Sequence, residues 1–490
     1  MTHAQPPAPP AKLRVPRSAW LILGSGLLLG VWVGRYMWDF AAGYNGALLL
    51  RAGLNPYSLQ PLLNYPAGHI IAWVYPPLGL RLFLPFTLLS YPAAINLWLG
   101  VELLGAALLA WIWARHFWKF DLLMHPAAML IVCFGLNGTL LWLLTTGNVG
   151  MVEAVLLWLA LAALLNGHDK RYGVLIAMAS LLKVLPAFFI LAPLAAFPQP
   201  RWRAFGWGVI SLVVIFALNP ILFPAEWQQF RSLSAVGAAA GKSGWQQVLD
   251  ANLFQYERDT GADNTSALFF WRAALPAVGG WVADKIGGFG QPGPYSDELF
   301  YLAGCTAIAA SSLFHLLRYR KRAAAFEPRL IILFLCLVFA LLVPRLKPYS
   351  LIIAIAPVVY ILHRRRDAPQ IGLLLGLALI PHYSESALPL PIARVAKIAL
   401  DFLPLITVFV AWLLFLAEMR AVPHATADTS GVKSDLPAAA ESLRRVTGAR
   451  PLQAKTQCCN PNPAARSLRL CSAPHAGFRS CPVKAGCGRA

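Results

Sequence analysis

Long apolar runs separated by short basic clusters constrain this chain more than any other feature. The runs fall at about 19–38, 76–90, 93–113, 122–143, 150–166, 172–196, 204–222, 298–317, 328–343, 351–362, 370–381 and 394–418. A straight helix needs about 20 apolar residues to cross a hydrocarbon layer about 30 Å thick. Only 13% of the residues are charged and 58% are hydrophobic, against about 25% charged in a soluble domain. The expectation is an all-α polytopic membrane protein. Several runs are shorter than one span, so some are re-entrant, broken or extended by their flanks. Pro85, Pro92 and Pro186 are natural break points.

The net charge of +20 could point to nucleic acid, but the basic residues sit in short clusters between apolar runs. They read instead as cytoplasmic loops under the positive-inside rule. The clusters are Arg115 to Lys119, His168 to Arg171, Arg201 to Arg203, Arg318 to Arg322 and His363 to Arg366. Parity then forbids 76–90 and 93–113 from both being full spans, and 76–90 is expected to be re-entrant or interfacial. The same parity makes 172–196 a hairpin that turns near Lys183 to Pro186. Residues 1–18 are expected to be a disordered cytoplasmic N-terminus, followed by an uncleaved anchor at 19–38. The segment 39–75 is a first outer loop with short interfacial helices, 223–297 a long outer loop able to cover a site, and 419–490 a disordered cytoplasmic tail. Cys133, Cys305 and Cys336 lie in apolar runs as small core residues. Cys458, Cys459, Cys471, Cys481 and Cys487 lack zinc-site spacing.

This topology collects the unexplained polar features on one face. They are Asp39, Tyr75-Pro76-Pro77, Thr146-Gly147-Asn148, Lys183, the stretch Asp263 to Ser266, Arg345 to Tyr349, and His382 to Glu385. Acids near hydrocarbon are rare and usually functional. Asp39, at the mouth of the first span, is the candidate general base; a simply solvated helix-end carboxylate is the alternative. Arg345 and Lys347 are cations on the side that usually lacks them, fit to grip a phosphate or lipid headgroups. Lys183 either snorkels or pairs. Glu153 can share the cavity of Asn148, and Glu102 reads as structural. His382 and Glu385 can act as a polar clamp or be plainly solvated, and Asn264-Thr265-Ser266 reads as a helix cap. No Walker loop, dinucleotide fingerprint, HExxH, GxSxG or DxD pair is present. Moving a sugar onto a hydroxyl needs little more than a base and cations for a leaving phosphate.

The order Asp39, Tyr44, Gly53-Leu54-Asn55-Pro56-Tyr57, Tyr75-Pro76-Pro77-Leu78, Pro85, Trp98, Gly147-Asn148-Val149, Leu181 to Pro186 and Asn264-Thr265-Ser266 resembles glycosyltransferase family 87, over roughly 19–418. The resemblance implies the GT-C helical bundle with its site on the outer side. It also implies a polyprenyl-phosphate sugar donor, typically mannose, and an inverting transfer with Asp39 as base. Where family members show Gly-Gln-x-Asn this chain has Thr146-Gly147-Asn148, and where many carry Asn-Gln-Ser it has Asn264-Thr265-Ser266. The expected function is transfer of a hexose to a lipid or glycan hydroxyl, without nucleotide or essential metal. In it Arg345, Lys347 and Lys183 hold the donor phosphate. Tyr44, Asn55, Tyr57, Tyr75, Asn148, Asn264, His382 and Glu385 line the substrate. The expected location is the inner (plasma) membrane, with the site facing the periplasm or exterior. A secondary transporter or lipid-linked sugar flippase is the rival; it would show paired halves and midplane charges, and no paired halves are visible.

Overall fold

The computed structural model describes residues 15–58, 73–238, 266–275 (except 269 and 272), 296–322, 326–343, 346–365, 368–380 and 398–421. Its helices are α1 (Arg17–Val33), α2 (Trp38–Arg51), α3 (Tyr91–Ile112), α4 (Pro126–Thr146), α5 (Gly150–Leu165), α6 (Asp169–Leu182), α7 (Trp202–Leu222), α8 (Pro224–Ala238), α9 (Ser296–Arg320), α10 (Pro328–Leu342), α11 (Ile352–Arg364), α12 (Ala368–Leu379) and α13 (Leu403–Ala421). Among the described residues five helices are long and apolar enough to cross a membrane. The pair α1 and α2, bent by 47°, makes a sixth if it is one span. The protein is an all-α, multi-pass membrane protein.

The centre is α10 and α11. Both are buried on nearly every face, as expected of helices that are apolar all round. At 15 and 13 residues they rise only about 22 and 20 Å. They are short because other helices, not lipid, surround them.

Ion pairs define one end of the bundle. Arg201 pairs with Asp169 at the start of α6 and donates to Leu164 O at the end of α5. Arg320 donates to Leu194 O and Pro198 O, and Arg322 to Met419 O and Arg420 O. Arg364 bonds Glu327 and Glu418, each at 2.6 Å. These basic clusters thus gather at one end of the bundle. The start of α5, the end of α6 and the link between α10 and α11 therefore share the opposite end.

The hairpin at 172–196 is present: α6 ends at Lys183, and a 3-10 turn (Leu185–Leu191) carries the chain back, with the Tyr172 hydroxyl bonded to Phe189 O. The stretch 76–90 is a short helical turn (Pro77–Leu80) and a 3-10 segment (Arg81–Leu88), not a span. The segment 39–75, expected as a loop with short interfacial helices, opens instead within helix α2, buried along most of its length. Its small residues allow this. A Cβ on Gly43 would lie 2.5 Å from the Phe83 ring, so glycine lets α2 seat on an aromatic cluster of Phe40, Phe83, Phe86 and Trp98.

The run 122–143 also departs from one continuous helix. Within α4 the backbone turns left-handed at Leu136 (φ 52°), Asn137 (φ 62°) and Gly138 (φ 66°). Such a break in a membrane helix frees backbone groups that must find partners. Thr139 Oγ1 meets this need, lying 2.8 Å from Leu136 O and 3.1 Å from Pro348 O. The break thereby docks on the link that carries Lys347. Of the segment 223–297, α8 is a helix latched to the loop beneath it through Arg81 and Glu226 at 2.8 Å. Most of the remainder of that segment, and the tail from 422, lie outside the described residues.

Candidate active site

The first turn of α2 presents Asp39, where free N–H groups and the helix dipole favour a carboxylate. It faces the turn joining α4 to α5. Asn148 Nδ2 donates to Asp39 Oδ2 at 2.7 Å. Asn148 is held in turn: its Oδ1 accepts from Gly150 N at 2.9 Å, capping α5. Gly147 is left-handed at φ 61°, and a Cβ there would come 2.9 Å from Met37 and 3.0 Å from Phe40. The turn can press against the start of α2 only because that position carries no side chain. Trp98 Nε1 clamps it from below, donating to Gly147 O at 3.0 Å and Glu102 Oε1 at 3.1 Å.

Two lysines complete the centre. Lys183 and Lys347 both lie near enough to Asp39 to act on its charge. Lys183 is largely buried, 3.3 Å from Glu153 Oε2 and 4.6 Å from the centre of the Tyr349 ring. Its extended backbone at the hairpin turn (φ −149°, ψ 138°) aims it into the bundle. Burial pulls the Lys347 ammonium down to about 8, while the Asp39 carboxylate pulls it up and Lys183 pulls it down. The Tyr75 hydroxyl shares a hydrogen bond with Asn148, and burial pushes its phenol up.

Asp39, Asn148, Lys183, Lys347 and Tyr75 therefore converge. Other candidates do not meet the carboxylate. Tyr44 packs on Phe40 and Tyr91 and donates to Leu89 O at 2.8 Å. It leaves α2 on the aromatic face, on the side away from Asn148. Tyr57 donates to Tyr75 O at 3.1 Å, and Asn55 Oδ1 caps Tyr57 N at 2.9 Å. These two support Tyr75 from behind. Arg345, Asn264, His382 and Glu385 lie outside the described residues.

Sequence reasoning passed over Trp98, Thr139 and Tyr349 as members of the site's frame. The four-residue spacing of Trp98 and Glu102 was a usable signal, since such pairs face each other on a helix. Nothing local marks Thr139, whose partner lies 209 residues away.

Two acids, Asp39 and Glu153, and two lysines, Lys183 and Lys347, are thus gathered at one end of the bundle, over a frame of aromatic rings. The family model for glycosyltransferase family 87 matches residues 73–344, more than half of the 490. The chain belongs to glycosyltransferase family 87 and is a membrane glycosyltransferase. Tyr75, Asn148 and Lys183 fall inside the matched span, and Asp39 and Lys347 flank it. No curated protein and no solved structure matches the chain.

Proposed function

We propose that the protein transfers a hexose, mannose in the first instance, from a polyprenyl-phosphate donor to a lipid or glycan hydroxyl, with inversion. The observation that carries this is one carboxylate, hydrogen-bonded to Asn148 and facing two lysines. Asp39 takes the acceptor's hydroxyl proton as that oxygen bonds the anomeric carbon. The bond from that carbon to the phosphate oxygen breaks, and its electron pair leaves with the phosphate. The products are the glycoside and the polyprenyl phosphate, and the proton passes from Asp39 to water. Lys183 and Lys347, with Arg345 nearby in sequence, oppose the charge that grows on the phosphate. Tyr75 and Asn148 hold the carboxylate and the sugar. The site faces the periplasm or exterior of the plasma membrane, since the basic network at the other end reads as cytoplasmic.

The test is transfer of radiolabel by the purified protein in lipid nanodiscs. Label is expected to move from polyprenyl-phosphate mannose and not from a nucleotide sugar; the reverse would overturn the reading. The lysine adds a pH signature. Lys347 works as the cation, so turnover is expected to fall above about pH 8, where the ammonium loses its proton. Lys347→Arg keeps its charge far above that range and is expected to remove the alkaline fall. A profile that is unchanged in Lys347→Arg would separate Lys347 from the phosphate.

A further inference from the structure

A groove of about 450 Å³ opens on the flank of the site, lined by Tyr36, Trp38, Asn137, Leu141, Trp142 and Thr145, with Gly138 at its far end. Its floor is one face of α4. Gly138, Leu141, Trp142 and Thr145 recur at steps of three and four residues, the spacing that aligns side chains on a helix. The near end adjoins the site along the chain at two points. Trp38 immediately precedes Asp39, and Thr145 lies three residues before Asn148. The far end is the left-handed break at Leu136 to Gly138. A left-handed leucine costs about 1–2 kcal/mol, and strain of this kind clusters at functional sites.

The lining says what the groove takes. Trp38 and Trp142 stand edge to face, with centroids 6.3 Å apart, and Tyr36 is more than half exposed beside them. Flat indole faces pack the apolar faces of a sugar ring, while Asn137 and Thr145 offer the few polar groups that orient a ligand in such a cleft. Lys183, Lys347, Asp39, Asn148 and Tyr75 are all absent from its lining, and Asp39 is reached past Trp38. Among the described residues none of those lining it is a cation. Beyond the groove α1 exposes Leu27, Leu28, Val31 and Trp32, an apolar path for a stem embedded in lipid.

Resting on the transferase reading, we propose that this groove is the acceptor site, and that Trp142 and Asn137 select the acceptor. The ligand is an amphipathic glycoside: a hydroxylated ring against Trp38 and Trp142, its reacting hydroxyl reaching past Trp38 to Asp39, with an apolar stem leaving toward α1. Donor and acceptor then approach Asp39 from different sides, the donor from the lysines and the acceptor from the indoles. That is the arrangement an inverting displacement requires.

Two measurements on the full chain in nanodiscs test this. First, octyl mannoside carrying a diazirine on its octyl chain is photolysed with the wild-type protein. Labels are expected on the stem's path within 27–38, and to be lost in Trp142→Ala; labels confined to segments other than 27–38 and 137–145 overturn the proposal. Second, octyl mannoside and methyl mannoside are compared as acceptors. Octyl mannoside is expected to have the lower KM. Trp142→Ala is expected to raise its KM about tenfold, leave the donor KM unchanged, and be partly repaired by Trp142→Phe. An unchanged acceptor KM, or a raised donor KM, overturns the assignment. Labelling needs neither turnover nor a variant. A labelled groove in a wild-type protein that transfers no sugar would therefore fault the transferase reading and not the site.

Discussion

Asp39→Asn is expected to insert and fold like the wild type yet lose transfer by about 10³-fold or more, within the range a general base supplies and above. The substitution keeps the shape of the side chain. An asparagine Oδ1 still accepts the hydrogen bond that Asn148 Nδ2 donates at 2.7 Å, so the contact between α2 and the α4–α5 turn survives. What disappears is the lone pair able to take a proton. Asp39→Glu retains that chemistry but moves the oxygens by about one methylene, so it is expected to fall between the two. The measurement is label transfer alongside detergent-extracted yield and melting temperature. A fully active Asp39→Asn protein would remove the base from the scheme.

Lys183 gives the second large effect, and it separates chemistry from folding. Lys183→Met leaves Glu153 without the ammonium 3.3 Å away, inside the bundle. Breaking a buried pair in this way costs about 3–5 kcal/mol, so poor yield is expected. Lys183→Met combined with Glu153→Gln removes both charges and is expected to recover the fold. If Lys183 holds the donor phosphate, the double variant still transfers about 10²-fold more slowly. If the lysine only neutralises Glu153, the double variant regains activity with stability. Melting temperature and turnover, read on both variants, decide between these roles.

The legible part of the site came from chemistry that is costly in a membrane. Asp39 and Lys183 stand out because ionisable groups near hydrocarbon demand a reason. The hairpin at Lys183 followed from counting crossings between basic clusters. The burial of α2 was not legible, because polar and aromatic residues at 39–58 read as a loop until Gly43 is seen against Phe83. The setting of Tyr44 was not legible for a related reason. Its sequence distance from Asp39 does not tell which face of α2 bears it, and the structure turns it to Leu89.

Hydropathy and charge placement alone determined that this chain is a multi-pass helical protein, that its basic loops share one end, and that its odd acids and cations share the other. Those properties are one-dimensional: each depends on the free energy of a segment in lipid or water, whatever its neighbours. Which of those groups touch was decided only in three dimensions. The bond from Asn148 to Asp39, the pairing of Lys183 with Glu153, and the break in α4 docked at Pro348 all join residues far apart along the chain. Such contacts depend on how helices pack, and packing is set by side-chain shape across the whole bundle rather than by any local run.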